Sequence, residues 1–340
     1  EPKDSPDLPE ALLKLAEIKW EKARERYLLT FSEWEKKPIG AKGPAPKLEL
    51  GDARALDKQV IDRFPGYAQY DLALYVDGAL AGEEGKDKEA LASFEAILAK
   101  FPKSRFSPDA HMAKGEAFFN ATSGGSPDWQ KAADEYEQVV AHPDSELYGL
   151  ALFKSAWCLW KLGREEEAAK RFTKVLEVTA QKSGGSLAKR QALESLEDEA
   201  IKALVDVFIA DEKTSAQDVY AFLQKIGGER FAGKIVRKLA GAYEDAGRYK
   251  KAVEAYELLR KLEPTSPEGT QHVLGIARAW VIERDDAKIV ATYQRLLDDH
   301  LPSAVPTVPA GSPAAKATPA TWAKTQLDPK VIDASTKAIE

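Results

Sequence analysis

Apolar positions in this chain fall at helical spacing, and the stripes come in pairs. Between Asp71 and Ser104, Gly78 is followed twelve residues later by Ala90, then by Phe94 and Ile97, with Pro102 closing the run. Steps of four and three along Ala90, Phe94 and Ile97 put all three on one side of a helix. The offsets return downstream: Ala156 leads to Ala168, Phe172 and Val175, and Ala240 leads to Ala252, Tyr256, Leu259 and Pro264. Ala277 leads likewise to Ile289, Tyr293 and Leu296. No segment sustains apolar/polar alternation, so no sheet is expected.

These offsets describe a helix pair. A small residue midway along the first helix lets the second cross closely, with an Ala and then a ring at the contact, and the proline ends the second helix. Such a pair buries one side of itself and needs a neighbour, so pairs must stack. Weaker copies fill the gaps. Gly115 leads to Ala132, Tyr136 and Val139 with five extra residues in the Thr122–Pro127 loop, and Leu204 leads to Ala216, Tyr220 and Leu223. Ala16 leads to Ala53, Val60 and Pro65 with 25 extra residues, read as a first helix reaching about Lys37 and a Gly/Pro loop after it. The chain therefore holds about seven helix pairs, anchored near 16, 78, 115, 156, 204, 240 and 277. Ser107-Pro108-Asp109 and Ser266-Pro267-Glu268 predict helix starts, with serine as N-cap and proline at the first helical position. Gly85, Gly163 and Gly247 are placed in the turns within pairs.

The expected organisation is a linker over 1–7, the array over 8–302 with an inserted loop at 38–50, a Pro/Ala-rich linker or arm over 303–326, and a short final helix over 327–340. If the arm folds back, Trp322 and Leu327 would occupy an apolar groove. A formal charge of −6, from 49 basic and 55 acidic side chains, argues against nucleic acid as a partner and against broad binding to anionic membrane. No apolar run approaches the ~20 residues that span a bilayer, so direct membrane insertion is not expected. The single cysteine, Cys158, excludes an internal disulfide.

Gly78, Ala90, Phe94 and Pro102 within a pair of about 34 residues resemble the tetratricopeptide repeat (TPR), over roughly residues 8 to 302. That resemblance implies an all-α, right-handed superhelical solenoid. Phe101-Pro102-Lys103-Ser104 at a pair junction, with relatives at Phe64-Pro65-Gly66-Tyr67 and Leu301-Pro302-Ser303, is similar to TPR proteins of the Gram-negative envelope. Those are the barrel-assembly lipoprotein and Tol-Pal coordinator types. The opening helix from Leu8 to Lys22 looks like TPR proteins of myxobacterial gliding-motility complexes. The resemblance implies a periplasmic location, with a lipid anchor ahead of Glu1 as an open question and the cytoplasm as the alternative.

In such arrays the first helix of each pair lines the concave side. Carried onto this sequence, the family's groove-facing positions include Tyr75, Met112, Phe119, Phe153, Trp157, Trp160 and Phe208, and then Lys234, Arg237, Glu244 and Asp245. The middle of the groove would be aromatic and its far end charged. Each large ring buries about 150–250 Å² when covered, or about 4–6 kcal/mol at ~25 cal/mol per Å². Three coverings are open: self-burial, a partner's amphipathic helix or extended peptide, and homodimerisation through the same surface. Trp157 and Trp160 lie three apart and would act together as an anchor.

Catalytic signals are missing. His111, His142, His272 and His300 fall in four different pairs without metal-ligand spacing. His142 and His300 lie at ends of second helices, where a cation suits the dipole. There is no nucleophile elbow, zinc-binding His-Glu-x-x-His or phosphate loop. No cofactor, metal or catalytic residue is nominated. The expected function is a non-catalytic scaffold for a protein or peptide partner within an envelope complex. The alternatives are a targeting subunit of an enzyme whose catalytic domain lies elsewhere, and an architectural homo-oligomer.

Overall fold

The structure, a computed structural model, describes residues 5–122, 124–181 and 186–300. The Pro/Ala-rich segment 303–326, the helix expected over 327–340 and the His300 side chain lie outside the described residues, as do Trp322 and Leu327. Among the described residues there are fourteen α-helices and no strand. The chain divides into two compact units, Glu1–Arg171 and Phe172–Glu340.

The first unit holds α1 (Leu8–Glu35), α2 (Gly51–Arg63), α3 (Tyr70–Glu83), α4 (Asp87–Lys100), α5 (Ser107–Phe119), α6 (Trp129–Val140) and α7 (Tyr148–Lys161). From α1 to α7 each helix packs on the next. The boundary between units falls within α8 (Glu165–Gln181). The second unit continues with α9 (Leu187–Ala210), α10 (Ala216–Lys225), α11 (Ala232–Asp245), α12 (Tyr249–Leu262), α13 (Gly269–Glu283) and α14 (Asp286–His300). Here α11 to α14 pack in sequence, while α11 also lies against both α9 and α10. Among the described residues the fourteen helices are the number that seven pairs require, although α9 makes its main contact with α11.

The small anchors do what their spacing implies. A Cβ at Gly78 would stand 2.9 Å from the Phe94 ring, and one at Gly115 would stand 2.6 Å from Tyr136. Both helices of these pairs approach at a distance only glycine permits. The stripes are buried where they were expected: Ala156, Ala168, Phe172 and Val175 are sealed from solvent, as are Ala240, Ala252 and Leu259. In the fifth pair the buried stripe on α10 is Ala216, Val219 and Leu223, with Tyr220 half-exposed beside it. The step there is three and four instead of four and three, which the aromatic at 220 disguised.

Gly85, Gly163 and Gly247 take φ values of 72°, 74° and 70°. In each, the next amide reaches back five residues to close the helix: Lys86 to Ala81 at 2.9 Å, Arg164 to Leu159 at 2.9 Å and Arg248 to Tyr243 at 2.8 Å. The last pair makes the same closure with Arg284 at φ 56°, a residue that bears a Cβ penalty glycine avoids.

Two predicted helix starts are corrected. The residue preceding α5 is Phe106, and Ser107 lies inside the first turn, its hydroxyl donating to the Pro102 carbonyl at 3.1 Å. Helix α13 begins at Gly269, with Glu268 before it. The Ser266 hydroxyl instead accepts from the Glu268 amide at 3.3 Å. Ser104 and Ser145 make the same two-residue hydroxyl turn, to the amides of Phe106 and Leu147. These serines shape the junctions before α5, α7 and α13 rather than capping those helices.

The first unit also buries charge. Arg54 of α2 reaches Asp77 at 3.2 Å, Glu84 at 3.3 Å and Glu89 at 2.8 Å, and the Ser93 hydroxyl donates to Asp77 at 2.6 Å. Asp57, one turn along α2, is fully buried, and neither carboxyl oxygen has a hydrogen-bond partner among the described residues. Burial, reinforced by the nearby Asp77 and opposed by Arg54, pushes its pKa up to about 8. Its carboxyl is therefore neutral near pH 7.

Candidate partner-binding surface

The predicted aromatic positions fall into three environments. Met112 of α5 is buried in a cluster with Ala132, Tyr136 and Val139, and belongs to the chain's own core. Phe153 of α7 is buried too, only 8% exposed. Tyr75 and Phe119 are half-buried and already engaged. Tyr75 stacks on Phe106 at 4.4 Å and meets Phe94 edge-on, while Phe119 meets Trp129 edge-on at 5.1 Å.

Trp157 and Trp160 form the third environment. Both are partly exposed on α7, their ring centroids 4.9 Å apart, and Trp157 meets the buried Phe153 edge-on at 6.4 Å. The two indoles thus share one edge of the helix above a buried aromatic base. Lys161 holds its ammonium 5.8 Å from the Trp157 ring and 5.5 Å from the Trp160 ring. On the preceding turns Lys154 lies 4.6 Å from the Phe119 ring and pairs with Glu116 at 3.1 Å, and Glu116 also accepts from the Tyr136 hydroxyl at 2.8 Å. Lys154, Trp157 and Lys161 follow at steps of three and four, so they make one stripe.

The two lysines are the residues the groove positions missed. Lys154 directly follows Phe153, and Lys161 lies four residues after Trp157; that second spacing was a signal for a cation on the ring face. Cys158 sits behind this stripe, and burial pushes its thiol up to about 12, so it is packing rather than a nucleophile.

Phe208 stands in the second unit, half-buried and edge-on to Phe222 at 5.5 Å. The predicted charged positions lie in the same unit, on α11. Lys234 pairs with Glu197, Arg237 reaches Glu263 at 2.6 Å and Glu268 at 2.7 Å, and Glu244 lies 3.7 Å from Arg278. Asp245 is exposed at the end of α11. Exposed pairs of this kind contribute about 0–1 kcal/mol each, yet they occupy the charges with neighbours. Buried His272 stacks on Tyr256 at 6.0 Å, and burial lowers its pKa, so it is a neutral packing residue.

Two cavities of the first unit lie away from the tryptophans. One of about 620 Å³ is lined by Arg105, Asp109, His142 and Asp144, and one of about 340 Å³ by Leu91, Phe94, Glu116 and Asn120. Among the described residues no helix is long and apolar enough to cross a membrane.

Two family models, both described as tetratricopeptide repeat, match this sequence: one over residues 75–146, the other over 150–178 and 237–266. These matches support tetratricopeptide repeats over those segments, which include the pairs anchored at 78, 115 and 156. No curated protein matches the chain. Among solved structures, it is similar to the TPR domain of P58(IPK) at 11% identity and a TM-score of 0.27, over 98% of this chain and 79% of that one. It is also similar to the APC/C hetero-tetramer Cut9-Hcn1 at 13% identity and a TM-score of 0.24, over 85% of this chain and 52% of that one. At these scores neither likeness bears on shape or function.

Proposed function

We propose that this chain is a non-catalytic scaffold that takes an apolar helix or extended segment of a partner protein against Trp157 and Trp160. Tetratricopeptide repeats mediate protein–protein interaction, and the matched repeat over 150–178 contains most of α7. The observation that carries the reading is the partial exposure of two adjacent indoles above buried Phe153, bordered by Lys154 and Lys161. Rigid aromatic anchors with an apolar body are typical energetic centres of interfaces. Lys161, whose ammonium lies against both rings, suits a partner segment that carries a carboxylate beside its apolar side chains. Phe208 and the α11 charges Lys234, Arg237, Glu244 and Asp245 belong to the second unit and are not part of this surface, and three of the four charges already have partners.

The cellular setting we propose is a bacterial envelope complex, of the motility or outer-membrane assembly kind, in the periplasm. Its support is the Phe101-Pro102-Lys103-Ser104 junction and the Leu8–Lys22 helix. Fractionation of the native cell tests the location; recovery in the cytosol alone would refute it. The interaction is tested by placing a photo-crosslinking phenylalanine analogue at position 160 in the native cell and identifying adducts by mass spectrometry. A single protein partner crosslinked at 160, and not from an exposed control at position 245, is expected. Adducts at 245 and none at 160 would overturn the assignment.

A further inference from the structure

Helix α1 has two unlike sides. On one, Pro9, Leu13 and Ala16 are buried, the Trp20 indole donates to Glu83 at 2.8 Å, and the Trp34 indole donates to the Gly43 carbonyl at 2.8 Å. On the other, Leu15, Ile18, Leu28 and Leu29 are 44%, 42%, 65% and 63% exposed.

The exposed side has an order. Leu15, Ile18, Lys22, Glu25, Leu29 and Ser32 follow one another at alternating steps of three and four, and all six are exposed. Positions at these steps lie along one line of the helix, the spacing of a helix–helix seam. Neither Lys22 nor Glu25 has an ion partner among the described residues, whereas Lys14, Lys19 and Arg24 on other faces of α1 pair with Glu17, Asp52 and Glu83.

The seam is complementary to itself in one direction. Laid antiparallel on a second copy with Lys22 opposite that copy's Glu25, it also sets Glu25 opposite Lys22, Ile18 opposite Leu29 and Leu15 opposite Ser32. A parallel pairing would instead set lysine on lysine and glutamate on glutamate. Residues 15 to 32 would overlap over about 27 Å of helix, and the contact would be isologous, closing at two chains. We propose that α1 is a dimerisation helix whose occupant is the α1 of a second copy, packed antiparallel in this register. The proposal is independent of the tryptophan surface on α7.

Sedimentation of the whole chain over a concentration series tests it, with helicity by circular dichroism as the check on folding. The wild type is expected to show a monomer–dimer equilibrium. Lys22→Glu alone and Glu25→Lys alone each oppose like charges twice, and each should weaken the dimer by about tenfold or more. In an equimolar mixture of the two variants, one chain carries glutamate at both positions and the other carries lysine at both. Every facing pair is then opposite in charge, so the mixture should dimerise about as well as wild type. Ile18→Asp with Leu29→Asp should leave a folded monomer. A wild type monomeric throughout the series overturns the proposal. So does a dimer indifferent to both charge reversals, or a mixture that associates no better than either variant alone.

Discussion

Helices α7 and α11 are the first helices of their pairs, and they use their exposed faces differently. On α11, Lys234, Arg237 and Glu244 each have an oppositely charged neighbour within the second unit. On α7 the exposed face offers two indoles with a lysine against their rings. A charged face can balance itself at little cost or gain. An aromatic face keeps apolar area in water, and that area is recovered only when another surface covers it. This contrast is why the proposed interaction surface is placed on α7.

The depth of burial along α7 is the first place to break this comparison. Phe153→Ala should cost about 3–5 kcal/mol of stability, the usual effect of removing a buried ring, read by chemical denaturation. Trp157→Ala with Trp160→Ala should cost less, about 1–2 kcal/mol, while helicity is kept. If the double variant unfolds as severely as Phe153→Ala, the indoles are core and the contrast with α11 disappears.

Charge gives the second test, through Asp57. Its carboxyl is neutral when buried and ionises near its ordinary value of about 4 once unfolded. Between that value and its folded pKa of about 8, the folded chain holds the extra proton. This contribution is fully present below the ordinary value and is lost as pH rises, at about 1.4 kcal/mol per pH unit. Between pH 5 and 7 the wild type should lose stability relative to Asp57→Asn, and parallel curves would contradict the buried neutral carboxyl. The smallest effect is expected at Arg237→Ala. Its guanidinium is partly exposed, so stability should change by less than about 1 kcal/mol despite two ion pairs.

The helix pairs were legible because their signal is steric. Gly78 with Phe94 and Gly115 with Tyr136 are contacts that leave a fixed offset in the sequence. The turns were legible for the same reason, since Gly85, Gly163 and Gly247 hold a backbone conformation other residues resist. Helix starts were less so, because a serine before a proline can cap a helix or bend the chain ahead of it, and Ser266 does the latter. On the surface, sequence position named Met112 and Phe153 alongside Trp157 and Trp160. Which rings stay partly exposed depends on how neighbouring helices pack, and no single-helix pattern encodes that. Lys154 and Lys161 were overlooked because a cation over a ring reads, in sequence, as an ordinary solvated lysine.

The most direct measurement is the partner's affinity, by titration calorimetry, for two variants prepared side by side. Trp157→Ala with Trp160→Ala should weaken binding by about 3–4 kcal/mol, or roughly 100- to 1,000-fold. Lys234→Ala with Arg237→Ala, Glu244→Ala and Asp245→Ala should leave it within about tenfold of wild type. Binding lost in the charge variant and kept in the tryptophan variant would contradict the placement of the interaction surface on α7.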